Sequence, residues 1–104
     1  VLAMQPGYKV KKLTINPGCS LSKQYHTHRD EYWVVIGGEG DLYLNYNQLT
    51  YVAGEQTMDL FPGKHVKIHK NVIHKVTNTG DDPLIIIETQ VGDRCEEGDI
   101  VRLD

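Results

Sequence analysis

The amino-acid sequence predicts an all-β domain, a sandwich or small barrel, on three observations. Apolar residues recur with a period of two or in short β-branched runs. Gly, Asn, Asp or Pro interrupts them every several residues. No stretch carries the 3.6-residue periodicity of an amphipathic helix of several turns. Taken in order, "YKVKKLTI" is a strand with Val10, Leu13 and Ile15 as its main apolar positions, stopped by Asn16, Pro17 and Gly18. "EYWVVIGG" ends in a paired glycine, and "GDLYLNY" alternates Leu42 and Leu44 against Asp41, Tyr43 and Asn45. "LTYVAG", "MDLFPG", "HVKIH" and "HKVTNTG" follow as short pieces, with "TGDDP" as a turn before "LIIIETQVG". That last run is almost wholly apolar, which assigns it to the centre of a sheet with both faces covered. The tail "DRCEEGDIVRLD" can carry a helical turn and no more.

At 104 residues the chain predicts one domain, spanning 1–104, with one core and one site. A formal net charge of -3 and eleven scattered Lys and Arg give no cationic stripe for a phosphodiester backbone, so nucleic acid is excluded as an expected partner. No apolar run approaches the roughly 20 residues needed to cross a bilayer, and "VLAMQPGYKV" lacks the apolar core of a signal peptide. The expectation is a cytoplasmic protein without membrane partners. Cys19 and Cys95 have no CxxC spacing and read as reduced thiols. A small core and two sheet edges predict a homodimer formed through an outer strand.

The chemistry concentrates in "QYHTHRDEYW", residues 24–33. His26 and His28 are two apart, and in a strand such residues face one side, so their imidazoles can share a ligand. Arg29 and Asp30 mark a break after which Glu31 can project into the same interior. His74 opens "HKVTN" and supplies a third imidazole. Three imidazoles and a carboxylate suit a divalent metal ion, Zn, Mn, Fe or Ni, with positions left for water or substrate. The alternative is a surface pair of histidines and a half-buried His74 bonded to its own strand. His65 and His69 alternate with Val66 and Ile68 and are assigned to the solvated face. Gln24 shares the His26 alternation and points inward beside the site. Trp33 is either an apolar wall of the site or a core residue. Glu88 and Gln90, polar residues ending an apolar strand, must find partners: a ligand, or a histidine that they orient.

These residues carry a resemblance. Gly18, His26, His28, Glu31 and Gly38 resemble the first motif of the cupins, and His74 with Asn78 resembles the end of the second. Within that superfamily the sequence is similar to the type II mannose-6-phosphate isomerase domain, which in many bacteria is the C-terminal part of a bifunctional mannose-1-phosphate guanylyltransferase. The stretches that carry this are "LSKQYHTHRDEYWVVIGG", "NVIHKVTNTGDDPLIIIETQVG" and "EEGDIVRLD". His69 and Asn71 stand where the second motif usually has proline and glycine, and Asn can adopt the left-handed backbone a glycine would supply. "YNQLTYVAGEQTMDLFPGKH" is longer than the family pattern, as if a hairpin were added.

The resemblance implies a double-stranded β-helix, or jelly roll, and a metal-dependent interconversion of mannose 6-phosphate and fructose 6-phosphate. In that reading His26, His28 and His74 hold the metal, and Glu31 completes the shell or acts as the base. Arg29 holds phosphate or enediolate charge, or else only pairs with Asp30 or Glu97 at the surface. Gln24, Arg29, Trp33 and Glu88 line the substrate site. Two rival classes keep the same residues: a small metal dioxygenase, and a non-catalytic sugar- or metal-binding module.

Overall fold

A computed structural model describes residues 1–46, 54–92 and 100–103. Ten strands are described: β1 Ala3–Gln5, β2 Tyr8–Ile15, β3 Gln24–His26, β4 Arg29–Gly37, β5 Gly40–Asn45, β6 Glu55–Leu60, β7 His65–Ile68, β8 Ile73–Asn78, β9 Leu84–Gly92 and β10 Ile100–Arg102. They form two five-stranded sheets, in the orders β1-β2-β9-β4-β7 and β10-β3-β8-β5-β6. Every pairing between named strands is antiparallel. The all-β prediction holds, and no helix occurs among the described residues.

Strand alternation decides what faces inward. Along β4 the odd residues from Arg29 to Val35 are buried, and Tyr32, Val34 and Ile36 are exposed. Along β9 the even residues Leu84, Ile86, Glu88 and Gln90 are buried. Antiparallel register lines the two sets up, with Val35 beside Ile86, Trp33 beside Glu88 and Glu31 beside Gln90. The inward face is thus apolar at one end and polar at the other. Ile15, Val35, Leu42, Leu60, Leu84 and Ile86 belong to the apolar core, whereas the buried polar residues include Lys9, His26, Arg29, Glu31, His74, Glu88 and Gln90.

Several expectations change in detail. In β2 the inward phase is set by Ile15 and Leu13, so Lys9 is buried and Lys11 half-buried, while Val10 lies on the other face of the strand. "LIIIETQVG" is the middle strand of its sheet, as predicted, but its second face is only partly covered. The described part of the tail is a strand, β10, laid against β3, where the sequence allowed a helical turn. β5 and β6 pair as a hairpin closed at Tyr46 and Gly54. Residues 47–53, the rest of the proposed insertion, lie outside the described residues, as does Cys95.

Turns follow the backbone demands of their residues. Asn71 takes a left-handed φ of 67°, as its position in the motif required. Gly38, in the β4–β5 turn, has φ +82°, and a Cβ there would sit 2.4 Å from the Pro83 carbonyl oxygen. Gly38→Ala therefore combines backbone strain with a clash against main chain and is expected to cost about 2 kcal/mol or more. Urea unfolding would register this as a lower midpoint at unchanged slope; a wild-type midpoint would refute it.

Candidate active site

Three elements converge on one point. β3 delivers His26 at its last residue, β4 delivers Glu31 two residues into the inward series begun by Arg29, and β8 delivers His74. A donor atom from each of His26, Glu31 and His74 lies within 4.8 Å of the others, and all three residues are buried. His26 Nε2 is 2.8 Å from Glu31 Oε2, and His74 Nε2 is 4.0 Å from Glu31 Oε1. Trp33 Nε1 donates to Oε1 at 3.1 Å, and Arg29 Nε donates to Oε2 at 3.2 Å. Both carboxylate oxygens are therefore held in place by neighbours on their own strand and by the imidazoles.

The electrostatics follow from burial. Removal from water pushes the Glu31 carboxyl up, but the hydrogen bond with His26 and attraction to His26, His74 and Arg29 outweigh it and hold the pKa at about 2. Burial lowers the His74 pKa despite attraction to Glu31, which favours the neutral imidazole a metal requires. His74 Nδ1 lies 3.2 Å from the Val72 carbonyl oxygen, and donation there fixes the proton on Nδ1. The lone pair of Nε2 then points toward Glu31. Among the described residues, His74 Nε2 and His26 Nδ1 are buried with no hydrogen-bond partner. Two imidazoles and a carboxylate, with His74 Nε2 orphaned and facing Glu31, fit a first-row divalent ion in donor type and spacing.

The remaining predicted residues divide. His28 falls outside the group: β3 stops at His26, Thr27 and His28 form a bend, and strand alternation no longer carries the second imidazole to the first. Arg29 is 2% exposed and bonded inward, Nη2 lying 3.4 Å from His26 Nε2, so it is not a surface ion-pair residue. Its neighbour Asp30 accepts from the Lys70 amide instead. Trp33 is a core residue whose indole orients Glu31. His65 and His69 are exposed, as expected.

A cavity of about 190 Å³ opens beside the cluster, lined by Gln24, His26, Arg29, Glu31, Trp33 and Glu88, with Leu13, Leu21 and Ser22. Glu88 accepts a hydrogen bond from Gln90 on its own strand. Burial raises its pKa to about 7, with repulsion from Glu31 adding to the effect and the Gln90 bond and the charges of Lys11 and Arg29 opposing it. Lys11 and Arg102 also line the cavity. Sequence reasoning missed both; the parity of Leu13 and Ile15 was the signal for Lys11, and Arg102 had none.

The family model for the mannose-6-phosphate isomerase C-terminal domain matches residues 1–104. The chain belongs to this family. Among curated relatives of this mannose-6-phosphate isomerase C-terminal domain, xanthan biosynthesis protein XanB of Xanthomonas campestris is 35% identical over 97 residues, 93% of this chain and 19% of the relative. Mannose-1-phosphate guanylyltransferase of Klebsiella pneumoniae is 31% identical over 103 residues, 99% of this chain and 20% of the relative. The chain thus spans about a fifth of the length of these relatives. By structure, it is similar to a dTDP sugar isomerase of Desulfovibrio desulfuricans, with TM-score 0.84, 13% identity and coverage of 99% of this chain and 68% of that one. Oxalate decarboxylase of Bacillus subtilis, a protein with Mn(II) centres, gives TM-score 0.80 and 21% identity over 93% of this chain and 24% of that one. A double-stranded β-helix protein of Klebsiella pneumoniae gives 0.80 at 16% identity, covering 99% and 80%. The predicted cupin jelly roll is the fold.

The two buried carboxyls tilt stability in opposite directions with pH. Glu31, depressed in the fold, stabilises above its unfolded value near 4.5 and loses that contribution as pH falls toward about 2. Glu88, raised, stabilises below about 4.5 and loses its contribution as pH rises through about 7. Without added metal, Glu88→Gln is expected to flatten the loss of stability between pH 4.5 and 7, and Glu31→Gln the loss between 4.5 and 2. Chemical unfolding at stepped pH would test this; slopes identical to wild type would contradict it.

Proposed function

We propose that this chain is an aldose-ketose isomerase acting on mannose 6-phosphate and fructose 6-phosphate, with a divalent metal ion held by His26, Glu31 and His74. The observation that carries the reading is a buried cluster of two imidazoles and a carboxylate, two members of which, His26 and Glu31, line a cavity that also holds a second carboxyl, Glu88. Membership of the mannose-6-phosphate isomerase C-terminal family supports the substrate. A cavity of about 190 Å³ is below the ~300 Å³ of ordinary ligand pockets and suits a monosaccharide better than a nucleotide.

Isomerisation moves a proton between C1 and C2 and develops negative charge on the neighbouring oxygen. His26, Glu31 and His74 would hold a divalent ion, which would supply an electrophile for that oxygen. Glu31, with its oxygens engaged by Trp33, Arg29 and His26, is a ligand rather than a base. Glu88 carries the proton: it faces the cavity, Gln90 fixes one of its oxygens, and a pKa of about 7 lets one carboxyl both accept and return a proton near neutral pH. Gln24 and Ser22, also on the cavity wall, can bond sugar hydroxyls. Arg29 braces Glu31 and His26 and balances the buried charge.

An isomerase assay with mannose 6-phosphate, run beside elemental analysis, tests the reading. His74→Ala is expected to lose metal and turnover together, and His28→Ala to keep the metal. Glu88→Gln is expected to keep the metal and lose about 10²- to 10⁴-fold in kcat, the usual worth of a positioned acid-base group. Metal retained by wild type without turnover of any hexose phosphate would instead indicate a binding module.

A further inference from the structure

The isomerase reading leaves the phosphate of the substrate without a partner. Arg29, the cation nearest the metal ligands in sequence, already donates to Glu31 and lies against His26, 2% exposed. Glu31 and Glu88 make the inner end of the cavity unfavourable for a dianion. Cations that could receive one must therefore lie on the cavity wall away from the metal ligands.

Lys11 and Arg102 meet that condition. Both line the cavity that holds His26, Glu31 and Glu88. Lys11 comes from β2 of one sheet and Arg102 from β10 of the other, so they approach from opposite walls. Arg102 is exposed and Lys11 half-buried, whereas Glu31 and Glu88 are buried. Register fixes their distance from the chemistry. Arg102 pairs with Gln24, and Gln24 pairs with His74, so Arg102 stands two strands from a metal ligand. Lys11 pairs with Glu88, and Glu88 with Trp33, so Lys11 stands one strand from the Glu88 carboxyl and two from β4, which carries the metal ligand Glu31. Two strand spacings are about 10 Å, a span that a six-carbon chain with a terminal phosphate can bridge from C1 and C2 at the metal end. The guanidinium of Arg102 offers two parallel donors to phosphate oxygens, and Lys11 offers a point charge that Glu88 also attracts.

We propose that Lys11 and Arg102 form a phosphate subsite at the mouth of the cavity, selecting phosphorylated sugars over neutral ones and orienting them with C1 and C2 inward. The inference rests on the isomerase reading for the identity of the sugar, but the subsite itself binds inorganic phosphate without turnover. Calorimetric titration of the metal-loaded chain with inorganic phosphate, beside KM and kcat for mannose 6-phosphate, tests it. Arg102→Ala is expected to weaken phosphate binding and raise KM, each about ten-fold or more, with kcat changed far less. Lys11→Gln is expected to act in the same direction, and Arg102→Lys to restore part of the loss. Lys12→Gln removes the same charge from the outer face of β2 and is expected to leave phosphate affinity unchanged. Phosphate affinity unaltered by Arg102→Ala and Lys11→Gln, or weakened equally by Lys12→Gln, would overturn the subsite. Failure of turnover in wild type with phosphate binding intact and sensitive to Arg102 would remove the isomerase reading and leave the subsite standing.

Discussion

A carboxylate that stays charged inside a protein constrains everything around it. Glu31 is 1% exposed, and an ion of that kind unpaired in the interior would cost several kcal/mol. The fold answers with Arg29 and Trp33 from its own strand, His26 from the end of β3 and His74 from β8. Each of these must arrive within ångströms of the right place, so both sheets are tied to the position of one side chain. The imidazoles and the carboxylate are also the donors a divalent cation would use, so the arrangement that keeps Glu31 ionised is also a candidate metal site.

The two ends of the interior divide the work. Val35, Ile86, Leu42 and Leu84 bury apolar surface where the sheets close. Continuing the same alternation along β2, β4 and β9 gives Lys11, Glu31 and Glu88 instead. No separate scaffold is required for the site, since the strands that form the core also present its residues. Gly92 shows how tightly the backbone packs there: a Cβ would lie 2.3 Å from the His28 carbonyl oxygen, beside the segment that carries Arg29 and Glu31. Mutations distant from the cavity along these strands would act on the site through register as well as through stability.

Much of this was legible in the sequence because alternation is a local property. Leu42 and Leu44 against Asp41 and Tyr43 gave β5 its inward face, and Glu88 and Gln90 ending an apolar run identified a polar end of the interior. His26, His28, Glu31 and His74 form a group by residue type and order, and the structure brings His26, Glu31 and His74 of it together. What failed were inferences that extended a strand across a bend: His28 was assigned the face of His26, yet the strand ends between them. Val10, Leu13 and Ile15 are the apolar positions of β2, but only Leu13 and Ile15 share the inward phase, which turns Lys9 and Lys11 toward the interior. Arg102 could not be found at all, because only pairing with β3, distant in sequence, brings β10 to the cavity.

For a divalent ion the fold offers two imidazoles and the Glu31 carboxylate, and not a trio of imidazoles. X-ray absorption spectroscopy of the zinc-loaded chain counts imidazole ligands directly through their outer-shell scattering. Two imidazoles with oxygen completing the shell is the predicted result. Three imidazoles, or none, would contradict it.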